Sequence, residues 1–397
     1  MTARRLVVAG SSLAGLRAAE AARKLGFDGT ITMIGAEPGL PYDRPPLSKG
    51  FLAAEPAPTT FRDQEALRRL EIDLHAGVTA TGLDVAARKV STDAGVFGYD
   101  GLVVATGVTA RWPAALRGLD GVHTLRTAQD AQAIRAAFDA GARVLVVGAG
   151  FIGSEVASSA RARGLSVTIV ENLETPLTRA VGRSMGAALS ALHRDHGTDL
   201  RCGTKLEALE GKGKVERARL SDGSVLDVDL VVLGVGATPS TDWLASSGLT
   251  VDDGLVCDEH LSAGPGVYAA GDVARWPNAG FDGVSMRLEH WTNATEQATT
   301  AVRNWLSPDS RRPHVSVPYF WSDWYDSRIQ FVGVADAEEV LVTSGSPAER
   351  KLVALYRRDD RVVGALTLNR PSLIMKLRAL VARQAGWAEA VEFSTGR

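Results

Sequence analysis

The sequence predicts an α/β protein made of two strand–helix–strand units followed by a smaller α+β domain. Three observations lead there. Residues 4–37, "RRLVVAGSSLAGLRAAEAARKLGFDGTITMIGAE", and residues 142–171, "ARVLVVGAGFIGSEVASSARARGLSVTIVE", run through the same succession: apolar run, Gly-rich turn, Ala-rich stretch, glycine, second apolar run, acid. The apolar runs lack polar alternation, which fits a parallel sheet covered on both faces. From about residue 317 the texture changes to alternating segments such as "VPYFWSDWYDSRIQFVGVA", as expected of antiparallel strands.

The elements follow in order. Gly26 and Gly164 stand where the two Ala-rich helices should stop. Pro41–Pro58 is a proline-rich loop region, and a helix is expected over 61–70. "GLVVATG" at 101–107 reads as a strand leaving the sheet, and 127–140 as a helix. After the second unit come a helix at 183–197, short strands, and "VDLVVLGVGATP" at 228–239. "GVYAAGDVA" at 266–274 is a strand ending in Gly-Asp, and 293–306 is a helix. A helical tail at 371–385 closes the α+β domain. The expected domains are 1–109 with 237–316, then 110–236, then 317–397.

The second turn, Gly148-Ala-Gly150-Phe151-Ile152-Gly153, is a full G-x-G-x-x-G between strand and helix, with Glu171 closing the unit. The first glycine permits the tight turn, the second lets backbone approach a pyrophosphate, and the third allows close helix–strand packing. The pyrophosphate would face the free N–H groups of the helix N-terminus. Glu171 would accept hydrogen bonds from ribose hydroxyls and repel a 2′-phosphate, so NADH is expected over NADPH. The first turn, Gly10-Ser11-Ser12-Leu13-Ala14-Gly15, keeps both outer glycines and is followed by Glu37. Two Rossmann-like units suggest two dinucleotides, and FAD with a nicotinamide nucleotide is the economical pair. The competing reading is that one unit only packs. Asp272, at the end of "VYAAGD", is placed for a ribityl hydroxyl, although Gly-Asp after a strand is also a common turn.

Bulk composition bounds the rest. Forty-four basic and 46 acidic side chains nearly cancel, which argues against a general nucleic-acid binder. Two cysteines, Cys202 and Cys257, lie in no metal or C-x-x-C spacing. No disulfide framework or metal site is expected, and the cytoplasm is the expected location. No apolar run is long enough to span a membrane.

"PYDRPPLSK", "LVVATG", "GAGFIGSEVA", "VYAAGDVA", "LEHWTNATEQA" and "PYFWSDWYD" occur in this order. With them the chain resembles, over essentially its whole length, the FAD-dependent ferredoxin–NAD reductases of oxygenase systems, in the glutathione-reductase-like superfamily. The first turn of that family often lacks its middle glycine. The resemblance implies FAD contacts at Gly10, Ser12, Leu13, Ala14, Gly15, Glu37, Arg44, Lys49, Ala80, Ala105, Thr106, Gly107, Arg126, Asp272, Glu289 and Trp291. It implies NAD contacts at Gly148, Gly150, Phe151, Ile152, Gly153, Glu155, Glu171 and Gly236. Lys49, Glu155, Glu289 and Trp321 are implied at the hydride-transfer site, although Trp321 also reads as a core aromatic of the last sheet. Two departures stand out: Trp324 replaces the glutamine common after "FWSD", and Ser240 replaces the asparagine common after the "GxxP" segment.

The implied activity passes electrons from NADH through FAD to a [2Fe-2S] ferredoxin that serves a cytochrome P450 or Rieske-type oxygenase. Such ferredoxins are usually acidic, so a basic docking face is expected. "NRPSLIMKLRALVARQ" holds Arg370, Lys376, Arg378 and Arg383 without an acid, and "RRPH" at 311–314 adds more. A solvated helix face is the competing reading. Disulfide chemistry needs a redox cysteine that "LPYDRPPLSK" lacks. Rubredoxin or monodehydroascorbate reduction, and a non-enzymatic NADH sensor, stay open as alternatives.

Overall fold

The computed structural model describes residues 4–53, 56 and 59–395. The chain divides into two compact units.

The first unit comprises Met1–Asp43, Thr59–Thr109 and Thr238–Pro318. Its sheet runs in the order Ser262–Gly264, Val267–Ala269, Gly101–Val104, Arg5–Ala9, Thr30–Gly35, Ile72–Ala76. All pairs are parallel except the edge hairpin Ser262–Gly264 with Val267–Ala269. Helix Leu13–Lys24 buries Ala14, Gly15, Ala18, Ala19, Ala21 and Ala22. These small side chains let it lie close to helix Trp291–Leu306, which buries Ala294, Ala298 and Ala301. Trp276 and Tyr99 are its largest fully buried side chains.

The second unit comprises Arg44–Pro58, Ala110–Ala237 and Tyr319–Arg397. A parallel sheet runs Asp199–Cys202, Val167–Glu171, Val144–Val147, Leu230–Leu233, Val122–Thr124. The same unit holds an antiparallel sheet in the order Tyr319–Trp324, Ser327–Gly333, Arg361–Leu368, Lys351–Arg358, Glu339–Ser346. A shared core explains the grouping. Leu177, Val181, Met185, Leu189 and Leu192 pack with Phe320, Trp324, Phe331, Tyr356 and Leu366. Tyr356 Oη donates to Val181 O at 2.6 Å.

Helices form at Gln64–Arg69, Ala128–Asp139, Trp291–Leu306 and Pro371–Ala382, close to the expected ranges. The helix expected at 183–197 is Thr178–Asp195, broken at Gly182, where φ is +77°. The expected start is the position after that kink. The tail holds a second helix, Trp387–Thr395, that the sequence reading missed. Gln384 at φ +52° ends the first, and the chain turns there.

Candidate functional site

In the first unit, strand Arg5–Ala9 delivers the chain to Gly10, whose φ of +118° favours glycine. A Cβ on Gly10 would lie 2.1 Å from Ala105 O, and one on Gly15 would lie 1.7 Å from Gly10 O. Both outer glycines are therefore fixed by backbone packing. Ser12 begins helix Leu13–Lys24 at φ −87°, ψ −161°, with no side-chain cap and no acid in the first turn. The positive end of a helix with no side-chain cap and no acid in its first turn suits an anionic diphosphate.

Two other predicted segments come to this turn. Ala105 N donates to Ala9 O at 2.7 Å. Gly271 has φ +81°, and its absent Cβ would lie 2.9 Å from Ala14 Cβ, so the Gly271–Asp272 turn abuts Ala14. Gln297 Oε1 accepts from Gly271 N at 2.8 Å and fixes that turn. Thr106 Oγ1 donates to Ser240 O at 2.8 Å, and Ser240 N donates to Gly107 O at 3.0 Å. Backbone atoms of Ser240 thus tie it to the strand exit whatever its side chain. Glu37 accepts from Tyr42 Oη at 2.5 Å. Trp291 Nε1 donates to Asp43 Oδ1 at 3.0 Å. Glu289 pairs with Arg287 at 2.7 Å, and Arg287 also reaches Asp272 O at 3.2 Å. Ala80 opens strand Ala80–Asp84 and is half-buried. Gln297, Tyr42, Asp43 and Arg287 were missed from sequence, since their roles arise from contacts between distant segments.

In the second unit the turn repeats with one difference. A Cβ on Gly148 would lie 2.4 Å from Gly234 O, and one on Gly153 would lie 2.0 Å from Gly148 O. A Cβ on Gly150 would meet nothing within 4 Å. Gly150 starts helix Phe151–Ala162 at φ −77°, ψ −172°, a conformation open to any residue. Neither backbone strain nor internal packing requires glycine there, and the space beside it is open. That helix start has no side-chain cap, and Ile152 is exposed beside it. Glu171 accepts from Ala149 N through Oε2 and from Leu173 N through Oε1, both at 2.8 Å. Each oxygen keeps a further acceptor site. Gly236 has φ +96° and open space around it. Phe151 packs on Phe320 at 4.5 Å between ring centroids, which gives its ring a core partner.

Arg44, Lys49 and Arg126 belong to this unit. Arg44 Nη1 donates to Arg126 O at 2.7 Å, and Arg126 N donates to Asp130 Oδ2 at 2.9 Å. Lys49 Nζ lies 2.9 Å from Glu155 Oε2. Glu155 is only 3% exposed. Ser48 Oγ donates to Oε2 and Ser322 Oγ to Oε1, each at 2.5 Å. One turn on, Ser159 Oγ donates to Ser48 O at 2.9 Å, and Ser158 Oγ accepts from Tyr325 N at 2.5 Å. Glu155, Ser158 and Ser159 share a helix face by their i, i+3, i+4 spacing. That polar stripe on one face of the helix is the signal that could have found the cluster. Trp321 stacks on Tyr319 at 5.9 Å on the half-exposed face of its strand, and Trp324 is fully buried on the other. Trp324 therefore fills core.

Both cysteines are free. Burial pushes the Cys257 thiol up to about 12 and raises that of Cys202, so neither is poised as a thiolate. Among the described residues no cluster of His, Cys, Asp or Glu could hold a metal ion, and no helix is long and apolar enough to cross a membrane.

The Pyridine nucleotide-disulphide oxidoreductase family matches residues 4–298, and the Reductase C-terminal family matches residues 319–392. Rhodocoxin reductase of Rhodococcus erythropolis is 36% identical over 389 residues, covering 96% of this chain and 90% of that protein. The 5,5′-dehydrodivanillate O-demethylase ferredoxin reductase subunit of Sphingobium sp. is 35% identical, covering 94% and 92%. Among solved structures, the covalent putidaredoxin reductase–putidaredoxin complex superposes with a TM-score of 0.93 at 29% identity, over 100% of both chains. The ferredoxin reductase for the CYP199A2 system from Rhodopseudomonas palustris gives 0.93 at 31% identity, over 98% of both. Two uncapped helix starts, one with the open clearance at Gly150, fit the FAD and NAD(H) that this family uses. The chain belongs to the pyridine nucleotide-disulphide oxidoreductase family, among the FAD- and NAD(H)-dependent ferredoxin reductases of oxygenase systems.

Proposed function

We propose that this chain takes electrons from NADH and delivers them to an acidic [2Fe-2S] ferredoxin that serves a cytochrome P450 or Rieske-type oxygenase in the cytoplasm. The observation that carries the reading is the pair of nucleotide turns in one chain, with clearance at Gly150. Bound FAD supplies the means to accept two electrons together and release them one at a time.

The chain's own residues bind and orient. Gly10–Gly15 and the start of helix Leu13–Lys24 hold the FAD diphosphate, with Glu37 on its ribose and Asp272 on the ribityl chain. Ala80, Ala105, Thr106, Gly107, Glu289 and Trp291 line that side, and Arg44, Lys49 and Arg126 add cationic contacts. Gly148–Gly153 and Gly236 hold NADH, with Glu171 on the adenosine ribose. Glu171 is pinned by two backbone N–H groups, so a 2′-phosphate would face a fixed carboxylate. Lys49, held by Glu155, places a positive charge for the transfer step, and Trp321 shields it from water. Domain boundaries at 109–110, 236–237 and 316–317 are the corresponding proposal.

We place the docking face on the helical tail. His314 is buried, and Arg311 lies 3.5 Å from Asp258. Lys376 and Arg378 of helix Pro371–Ala382 are the favoured contacts.

Steady-state turnover with NADH and NADPH against a panel of [2Fe-2S] ferredoxins and a rubredoxin tests the reading. NADH with an acidic ferredoxin is expected to be fastest, and Glu171→Ala should erode the nucleotide preference. Faster turnover with NADPH, or with rubredoxin, overturns the cofactor or the partner assignment respectively.

A further inference from the structure

The Glu155 carboxylate is gripped from both oxygens. On one, Oε2, sit Ser48 Oγ at 2.5 Å and Lys49 Nζ at 2.9 Å. On the other, Oε1, sits Ser322 Oγ at 2.5 Å. Behind Ser322, Trp324 Nε1 donates to Ser322 Oγ at 2.9 Å. An indole nitrogen only donates, so it occupies a lone pair on the Ser322 oxygen. The hydroxyl hydrogen is left for Glu155.

All these residues belong to one unit. Ser322 and Trp324 are fully buried, so water does not compete for the bonds. Ser322 and Trp324 alternate onto the same face of strand Tyr319–Trp324, and Trp324 is held in turn by the His193 ring at 4.7 Å. The terminal torsion of a glutamate is broad and two-fold, so its own rotamer preference does not set the carboxylate plane. Donors on both oxygens do. The other charged groups on elements packed against this helix are engaged elsewhere: Asp323 lies 3.7 Å from Arg328, Glu171 takes two backbone N–H groups, and Arg44 reaches Arg126 O.

We propose that Ser322, oriented by Trp324, is a positioning residue: it anchors one oxygen of Glu155 so that the other stays aimed at Lys49 and Ser48. Trp324 thereby acquires a specific task. The inference rests on the proposed function only in assigning the Lys49–Glu155 pair to the transfer step.

Isotope-edited infrared spectroscopy on the FAD-loaded full chain, labelled in glutamate carboxyl carbon, tests it. The Glu155 band is identified by its loss in Glu155→Gln. Ser322→Ala should shift and broaden that band, Ser322→Thr should restore it, and Trp324→Phe should broaden it less. Flavin reduction by NADH should slow about tenfold in Ser322→Ala, with KM for NADH nearly unchanged. An unaltered Glu155 band in Ser322→Ala overturns the inference; if that variant fails to fold, an unaltered band in Trp324→Phe does so. An altered band with unaltered flavin reduction upholds the positioning and overturns the assignment of the Lys49–Glu155 pair to transfer.

Discussion

The Cβ that Gly271 lacks would sit 2.9 Å from the Cβ of Ala14, so the Gly-Asp turn and the first nucleotide turn meet at a point that admits no methyl group. Gly271 also has φ +81°, which an alanine adopts only with strain. Gly271→Ala should cost about 1–3 kcal/mol and lower FAD occupancy. Thermal melts and the flavin-to-protein absorbance ratio check this; wild-type values in both would separate the two turns functionally.

Gly150 and Gly148 should behave differently. Gly150 has an ordinary conformation and an empty surround, so Gly150→Ser should fold and melt like the wild type while raising KM for NADH about tenfold, or ~1.4 kcal/mol. Gly148→Ala combines φ +100° with a clash against Gly234 O and should lower the melting temperature. Because Ser12 occupies the corresponding helix start, Ser12→Gly should leave FAD retention intact. Calorimetry beside NADH titration separates these outcomes.

Two buried histidines make the fold acid-sensitive. Burial, with smaller contributions from Arg194 and His196, pushes His193 down to about 3. Burial pushes His314 down to about 4 against the opposing charge of Glu296. Each is neutral when folded and protonates near 6.5 when unfolded. Their stability contribution is therefore whole above about pH 6.5 and is lost as pH falls toward 4 and then 3. The slope is about 1.4 kcal/mol per pH unit for each histidine. His193→Gln should flatten the dependence of stability on pH between 6 and 4 relative to wild type, as measured by denaturant titration; an unchanged slope would assign the effect elsewhere.

Charge reversal at Lys376 and Arg378 should slow ferredoxin-linked turnover several-fold, more at low salt, and leave NADH–ferricyanide turnover unchanged. Equal loss in both assays would remove helix Pro371–Ala382 from the docking face.

The nucleotide turns were legible in sequence because Gly15 and Gly153 each pack on a backbone oxygen of their own turn, and Gly10 and Gly148 hold a positive φ that favours glycine. The strand-forming runs were legible because their apolar side chains are buried on both faces. What surrounds Glu155 was legible only on its own helix, where Ser158 and Ser159 share its face; Ser48 and Ser322 lie 107 and 167 residues from it, with no periodic relation to it. Trp324 shows the same limit. Its place after "FWSD" does not reveal its burial; strand alternation puts it inside with Phe320. His314 read as part of a basic run because its neighbours are arginines, yet its ring packs against Trp276 at 5.3 Å.

The core shared by helix Thr178–Asp195 and the antiparallel sheet bears on how such reductases can be recombined. A chimera that exchanges only residues after 318 would set a foreign sheet on Val181, Met185 and Leu189, and would also replace the serine that grips Glu155. Partner swapping by grafting should therefore carry the helix and the sheet together as one cassette.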